Sequence, residues 1–182
     1  MAIIKPNNNT ISAITALPAA IPTGKVLQVL QTVKTDTETI NSTSFTDISG
    51  LNISITPSST SSKILINLDM TFGSEDDIYP AFKLLRGSTT VTTATDLQGS
   101  CISSTFGRNN YYATNTANIG YSFLDSPSTT SATTYKIQVR PMGTVARTYH
   151  LNRPGNTSDA NRYQGTTTLT AMEIAGWYIK QY

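Results

Sequence analysis

The stretch KILINLDMTF, residues 63–72, decides the fold class of this chain. Its residues Ile64, Ile66, Leu68, Met70 and Phe72 are apolar and occupy every second position. Successive side chains of an extended chain point to opposite faces, so all five lie on one face. The pattern therefore predicts a β-strand with one buried face.

The tract TPSSTSS, residues 56–62, leads directly into that strand. It is polar, uncharged and contains Pro57, which cannot donate to a sheet ladder. We expect it to form a turn that faces solvent.

Other segments of the chain show similar alternation of apolar and polar residues, and no stretch of useful length has the 3.6-residue period of a helix. About eight to ten strands are predicted, at 26–33, 51–57, 63–72, 81–86, 119–125, 134–140, 147–152 and 166–179, with a hairpin across Gly87-Ser88 and a polar hairpin over 35–48. Many antiparallel strands without helices leave a sandwich, a jelly roll or a barrel. We predict an all-β, jelly-roll-like antiparallel sandwich spanning residues 25–182.

The composition points to a single core with an uncharged polar surface. The chain has 182 residues, of which 38 % are hydrophobic and only 13 % are charged, about half the usual charged share of ~25 %. The net charge is +2, and no Lys/Arg run alternates with aromatic residues, so no nucleic-acid partner is predicted. A lone cysteine excludes an intrachain disulfide, and no apolar run reaches the length of a membrane span. Oligomerisation is the expected source of added stability.

Residues 1–24 differ from the rest of the chain. Pro6, Pro18 and Pro22 forbid one continuous helix and favour an extended arm. We expect the arm to lie on a partner or a neighbouring subunit, with packing on its own domain as the alternative. The apolar residues that would make this contact are Ile3, Ile4, Ile11, Ile14, Leu17 and Ile21.

Two long polar connections, at 98–118 and 152–165, are further candidates for binding. They contain arginine and tyrosine, which are enriched at binding hot spots. The alternative is that polar loops of this length contain such residues without a binding role. The candidate residues are Arg108, Tyr111, Tyr112, Arg153, Arg162 and Tyr163.

Catalytic and metal-binding motifs are not predicted. Cys101 and His150 could in principle pair as nucleophile and base, but Cys101 lacks the local signature of a cysteine hydrolase. The acidic run Glu75, Asp76 and Asp77 could help to hold Ca²⁺, yet adjacent carboxylates lack the alternating spacing of a calcium loop. We expect no enzymatic activity, no cofactor and no metal site.

Several longer stretches resemble a known family when read together. They are GKVLQVLQTVKTDT at 24–37, GLNISITPSSTSSKILINLDM at 50–70, FLDSPSTTSATTYKIQVR at 123–140 and HLNRPGNTSDANRYQGTTTLTAMEIAG at 150–176. Their order and wording resemble a family of small proteins encoded by tailed phages of cyanobacteria and marine bacteria. Members typically open as residues 7–29 do here.

This resemblance implies a virion structural protein with a jelly-roll-like body and no catalytic residues. One expectation is a homotrimeric capsid decoration (cement) protein on the phage head, anchored to the major capsid protein by the N-terminal arm. The other is a tail-fibre or receptor-binding module whose loops contact host surface glycans or protein. In that case sugars would stack on Tyr111, Tyr112 or Tyr163.

Overall fold

The computed structural model describes residues 25–74, 80–92, 104, 106–107, 116–141, 146–158 and 163–176. Within these ranges the chain forms strands and no helix. The strands are β1 (Val26–Lys34), β2 (Glu38–Ser42), β3 (Thr46–Ile55), β4 (Lys63–Ser74), β5 (Pro80–Arg86), β6 (Thr89–Thr90), β7 (Phe106–Gly107), β8 (Thr116–Asp125), β9 (Thr133–Pro141), β10 (Arg147–Leu151) and β11 (Thr167–Ile174).

The central strand is β4, the segment with the clearest alternation. The predicted inward row from Ile64 to Phe72 is confirmed, because every second side chain in it is buried. Along one side β4 pairs with β8 from Ile64 to Gly73. Its other side is shared by β11, which pairs with Lys63–Asp69, and β10, which pairs with Phe72–Ser74.

The strands form two antiparallel sheets that enclose one core. The first sheet has the order β1-β11-β4-β8, and β10 and β2 extend it beside the end of β4. The second sheet has the order β3-β9-β5, with β6 and β7 both paired to the far side of β5. Successive long strands alternate between the sheets, as in a jelly roll. The predicted all-β, jelly-roll-like sandwich is therefore confirmed.

One predicted hairpin is confirmed and one is wrong. β5 and β6 pair across Gly87, whose φ of 60° is the left-handed conformation that glycine adopts without strain. The predicted polar hairpin at 35–48 does not exist, because β2 pairs with β10 in the first sheet and β3 pairs with β9 in the second. The change of sheet lets Ile40 and Ile48 reach the core from different sheets.

Aromatic side chains fill the middle of the core. Phe72 of β4 stacks on Tyr149 of β10 with ring centroids 5.6 Å apart. Phe82 of β5 meets Phe72 edge-on at 6.0 Å, and so joins the second sheet to the first. Offset and edge-on geometries of this kind add to the stabilisation from burial alone.

A buried polar cluster also joins the two sheets. Asp125 of β8 accepts a hydrogen bond from the Tyr135 hydroxyl at 2.6 Å and pairs with Arg86 Nη1 at 2.8 Å. Burial, followed by the neighbouring Asp125, raises the pKa of Tyr135 far above its ordinary value, so the phenol stays protonated as a donor. The cluster is therefore a fixed structural tie between the sheets.

Replacing Tyr135 with Phe is expected to lower the free energy of unfolding by about 1–2 kcal/mol, because it removes a buried hydrogen bond to a charged acceptor. Chemical denaturation of the full chain would measure the change. Tyr163→Phe is the matched control, since that ring is exposed, and it should change stability little. Equal effects of the two substitutions would contradict the structural role of the tie.

Candidate functional site

Most residues that the sequence singles out lie outside the described residues. These are the arm residues Ile3, Ile4, Ile11, Ile14, Leu17 and Ile21, the loop residues Arg108, Tyr111, Tyr112 and Arg162, the acidic run Glu75–Asp77, and Cys101. The predictions made for them stay predictions. Arg153, Tyr163 and His150 are described.

Arg153 and Tyr163 both belong to the connection between β10 and β11. The Arg153 guanidinium donates to the Pro154 carbonyl at 3.2 Å and to Thr39 Oγ1 at 3.1 Å. Arg153 therefore lies back against β2. Tyr163 is 56 % exposed and presents its ring to solvent.

His150 is fully buried in β10, with its Nδ1 atom 3.1 Å from the hydroxyl of Thr39. The contact joins β10 to β2 and gives the imidazole a polar partner inside the protein. Among the described residues, no group of three or more His, Cys, Asp or Glu side chains could hold a metal ion.

Asn152 directly follows β10 and lies where β10 and β11 both pair with β4. Its backbone is in the left-handed region, with φ of 61°, and its amide N–H donates to the Thr71 carbonyl at 2.9 Å. Its side-chain amide donates to the carbonyls of Lys34 and Asp36, each at 2.8 Å, and its Oδ1 accepts from Thr167 Oγ1 at 2.7 Å. All these bonds are structural, and they fix the start of the connection that carries Tyr163.

The far end of that connection is tied to the same residue. The Gly165 N–H donates to the Asn152 carbonyl at 3.0 Å. A Cβ added to Gly165 would fall 2.4 Å from Thr71 Oγ1, so the close approach requires glycine. The base of the connection is thus closed against the first sheet.

Glu173 of β11 is a buried carboxylate held by neutral donors. Its Oε1 accepts from the Ser58 N–H at 2.7 Å, the Ser58 hydroxyl at 2.6 Å and the Ser62 hydroxyl at 2.7 Å, and its Oε2 accepts from Gln28 Nε2 at 2.7 Å. Burial alone would raise the pKa of Glu173, but the hydrogen bonds from Ser58, Gln28 and Ser62 outweigh it and lower the pKa to about 2. Hydrogen bonds from neutral groups are therefore sufficient to keep this carboxylate ionised.

The prediction that the tract at 56–62 simply faces solvent is wrong in part. Ser62 is buried, and Ser58 uses both its N–H and its hydroxyl to hold Glu173. The physical reason is that a carboxylate inside the sandwich requires several donors, which short hydroxyl side chains in a turn can supply.

The outward face of the first sheet carries an exposed apolar surface. The strand register places Leu124, Leu65, Met172 and Val29 side by side on four neighbouring strands. The two ends of this row are the most open, with Leu124 51 % and Val29 54 % exposed. We define the outer apolar band as Val26, Val29, Val33, Leu65, Leu124, Met172 and Ile174.

The polar residues of the same face are mostly uncharged and satisfy one another. Gln31 Nε2 donates to Thr170 Oγ1 at 2.9 Å, and the Ser122 hydroxyl donates to Asn67 Oδ1 at 2.7 Å. Lys63, near one end of the face, donates to the Ser126 hydroxyl at 2.7 Å. The band is therefore bordered chiefly by amides and hydroxyls.

β1 is the edge of this sheet in the described part of the chain, where it pairs with β11. Leu27 and Leu30 of β1 are exposed as well as its band residues. One feature of the sequence indicates this exposed surface, although it was not needed to predict the strand. In VLQVLQTV apolar residues fall on both faces of the strand, which is unusual for an edge in contact with water.

Comparison of the chain with protein-family models and with curated proteins finds no match. In the part of the chain that the structure describes, no helix is long and apolar enough to cross a membrane. Function therefore has to be inferred from the fold, the surfaces and the sequence resemblance.

Proposed function

We propose that this chain is a non-enzymatic structural protein of a tailed-phage particle. Its role is that of a capsid decoration protein, which binds the outside of the head as a homotrimer and is anchored to the major capsid protein by residues 1–24. The observation that best supports this role is a jelly-roll-like body with a broad uncovered apolar face.

The charge of the chain suits a protein present in many crowded copies. Only 13 % of its residues are charged, and the described outer face of the first sheet is mostly neutral. Neighbouring copies with a high net charge would repel one another, whereas hydroxyl and amide surfaces do not. The free energy of binding to the head then comes from burial of apolar surface area.

A second candidate function is a tail-fibre or receptor-binding module. The observation that favours it is the exposed ring of Tyr163 on a connection whose base is fixed by Asn152 and Gly165. A rigidly based loop with an exposed aromatic ring suits stacking on a sugar.

Copy number in purified virions separates the two functions. Quantitative mass spectrometry with isotope-labelled peptides, measured against the major capsid protein, should find hundreds of copies for a decoration protein. A few dozen copies or fewer would contradict the decoration role and favour a fibre.

Deleting residues 1–22 should abolish head binding, and normal occupancy of the deletion variant would contradict anchoring by the arm.

A further inference from the structure

We propose that the outer apolar band and the adjoining edge of β1 form the surface through which this chain binds a second copy of itself. The inference rests on the homotrimer of the proposed function and assigns its interface to a particular face of the sandwich. Four features of the described residues lead to it.

The first feature is the extent of the exposed apolar surface. Four large aliphatic side chains, each 51–54 % exposed, lie on the outer face of β1 and β8: Val26, Val29, Val33 and Leu124. Leu65, Met172 and Ile174 lie between or beside them and are partly exposed, so the apolar surface runs across the face, and extended exposed apolar patches commonly mark interaction sites. A standard interface buries about 800 Å² per partner, and this patch would form its apolar centre.

The second feature is the middle of the edge strand β1. Natural edge strands usually avoid pairing through lysine, proline or inward-pointing charge. On β1 such devices lie only at the two ends, as the register irregularity at Val26/Gln28 and the buried Lys34, which pairs with Asp36 at 2.8 Å and Glu38 at 3.5 Å, so residues 29–33 between them carry no charge and no proline. Such a strand is expected to be covered in the assembled protein.

The third feature is charge. Gln31, Thr170, Asn67 and Ser122 border the band, and their side chains bond to one another across the face. The register also places Lys63 and Asp69, which carry opposite charges, on this face, so its described residues have no net charge and can meet another copy without overall repulsion, whereas a strongly charged face would repel its own copy. Neutrality therefore favours a second copy over a strongly charged partner.

The fourth feature is shape. The row from Val29 to Leu124 crosses four adjacent strands, a width of about 14 Å at ~4.8 Å per strand. A surface this wide matches another sheet or sheet edge better than it matches a single extended chain such as residues 1–24. In a cyclic trimer the contact is head-to-tail, so the β1 side of one copy would meet the β8 side of the next.

The test measures the oligomeric state of the full chain by sedimentation velocity and light scattering. The wild type should be a trimer, and Val29→Asp and Leu124→Asp should each shift it to monomer, because each buries a charge at the contact. Ser54→Asp on β3 is the matched control, since Ser54 is an exposed strand residue of the second sheet, and it should leave the trimer intact.

A milder substitution tests the same contact with less risk of unfolding the protein. Val29→Thr keeps the shape and the strand propensity of the side chain. On dilution, the trimer of this variant should dissociate at a protein concentration about tenfold higher than the wild-type trimer, or more, which corresponds to ~1.4 kcal/mol. Thermal unfolding of each variant would establish that the monomer is folded.

Three outcomes would overturn the proposal: a monomeric wild type, a trimer that survives both aspartates, or a trimer that dissociates when residues 1–22 alone are deleted. The last outcome would assign the contact to the arm. The decoration role is tested separately, by the copy number of the protein in virions. A monomer in solution with hundreds of copies per head would refute this interface and leave that role standing.

Discussion

Replacing Asn152 with Ala is expected to lower the free energy of unfolding by about 3–5 kcal/mol, the largest effect of any polar substitution proposed for this chain. The side chain is fully buried, and its loss leaves the carbonyls of Lys34 and Asp36 without their shared donor. Thr167 Oγ1 loses its acceptor in the same step. Alanine must also adopt a φ of 61°, which costs roughly 1–2 kcal/mol.

Two further variants separate the backbone and side-chain contributions. Asn152→Gly removes the same hydrogen bonds but tolerates the left-handed backbone, so it should be about 1 kcal/mol less damaging than Asn152→Ala. Ser128 also has positive φ, 53°, but is exposed, which makes Ser128→Ala the matched control. Chemical denaturation would measure all three, and a cost for Asn152→Ala no larger than that for Ser128→Ala would contradict the buried network.

Replacing Glu173 with Gln is expected to lower the free energy of unfolding at pH 7 by about 3 kcal/mol. The hydrogen bonds from the serine tract and Gln28 lower the pKa of Glu173 from 4.5 to about 2, and each unit of lowering corresponds to about 1.4 kcal/mol of stability. A neutral amide loses this stabilisation and turns one acceptor into a donor that faces Gln28 or the two serines.

The same carboxylate makes the protein sensitive to acid. Because its pKa is lower in the folded chain than in the unfolded chain, the unfolded state binds the proton first as pH falls. The contribution is complete above about pH 5.5 and is lost progressively between about pH 5 and pH 2. Urea denaturation at pH 7, 4 and 3 should show a steeper loss of stability for the wild type than for Glu173→Gln.

Other carboxylates contribute to the acid response, so the comparison between variants is what isolates Glu173. Hydrogen bonds from Lys34 and Lys136 lower the pKa values of Asp36 and Asp47 respectively, and both remain in Glu173→Gln. Asp69→Asn, which removes an exposed carboxylate from β4, is the control and should change stability little. Parallel pH profiles for the wild type and Glu173→Gln would refute the assignment.

Alternation in the sequence was sufficient to predict the inward row of β4 and the all-β class, because a period of two has one simple structural meaning. It could not predict that β2 and β3 belong to different sheets. The alternation around Ile40 predicts that its side chain faces the core. The same pattern does not show to which of the two sheets its strand belongs. Pairing depends on long-range packing, and so the expected hairpin at 35–48 was wrong.

The buried polar sites could not be predicted from the sequence, for a different reason. Glu173 and its partners Ser58, Ser62 and Gln28 are far apart in the chain, and each alone resembles an ordinary surface residue. Asn152 likewise looks like any loop asparagine, although asparagine tolerates the left-handed backbone better than most residues. Only the folded geometry shows that Glu173 and Asn152 are buried and hydrogen-bonded to these distant partners.

The pairing of β4 has a consequence for how the chain folds during synthesis. Its partners β10 and β11 follow roughly 75 to 110 residues later in the register, so the central strand cannot complete its ladder until β11 has been made. Until then the apolar row from Ile64 to Phe72 is available to other nascent chains. Lys63 and Asp69 place charges before and within the row, where such residues slow aggregation. The first sheet can therefore be completed only after β11 has emerged from the ribosome.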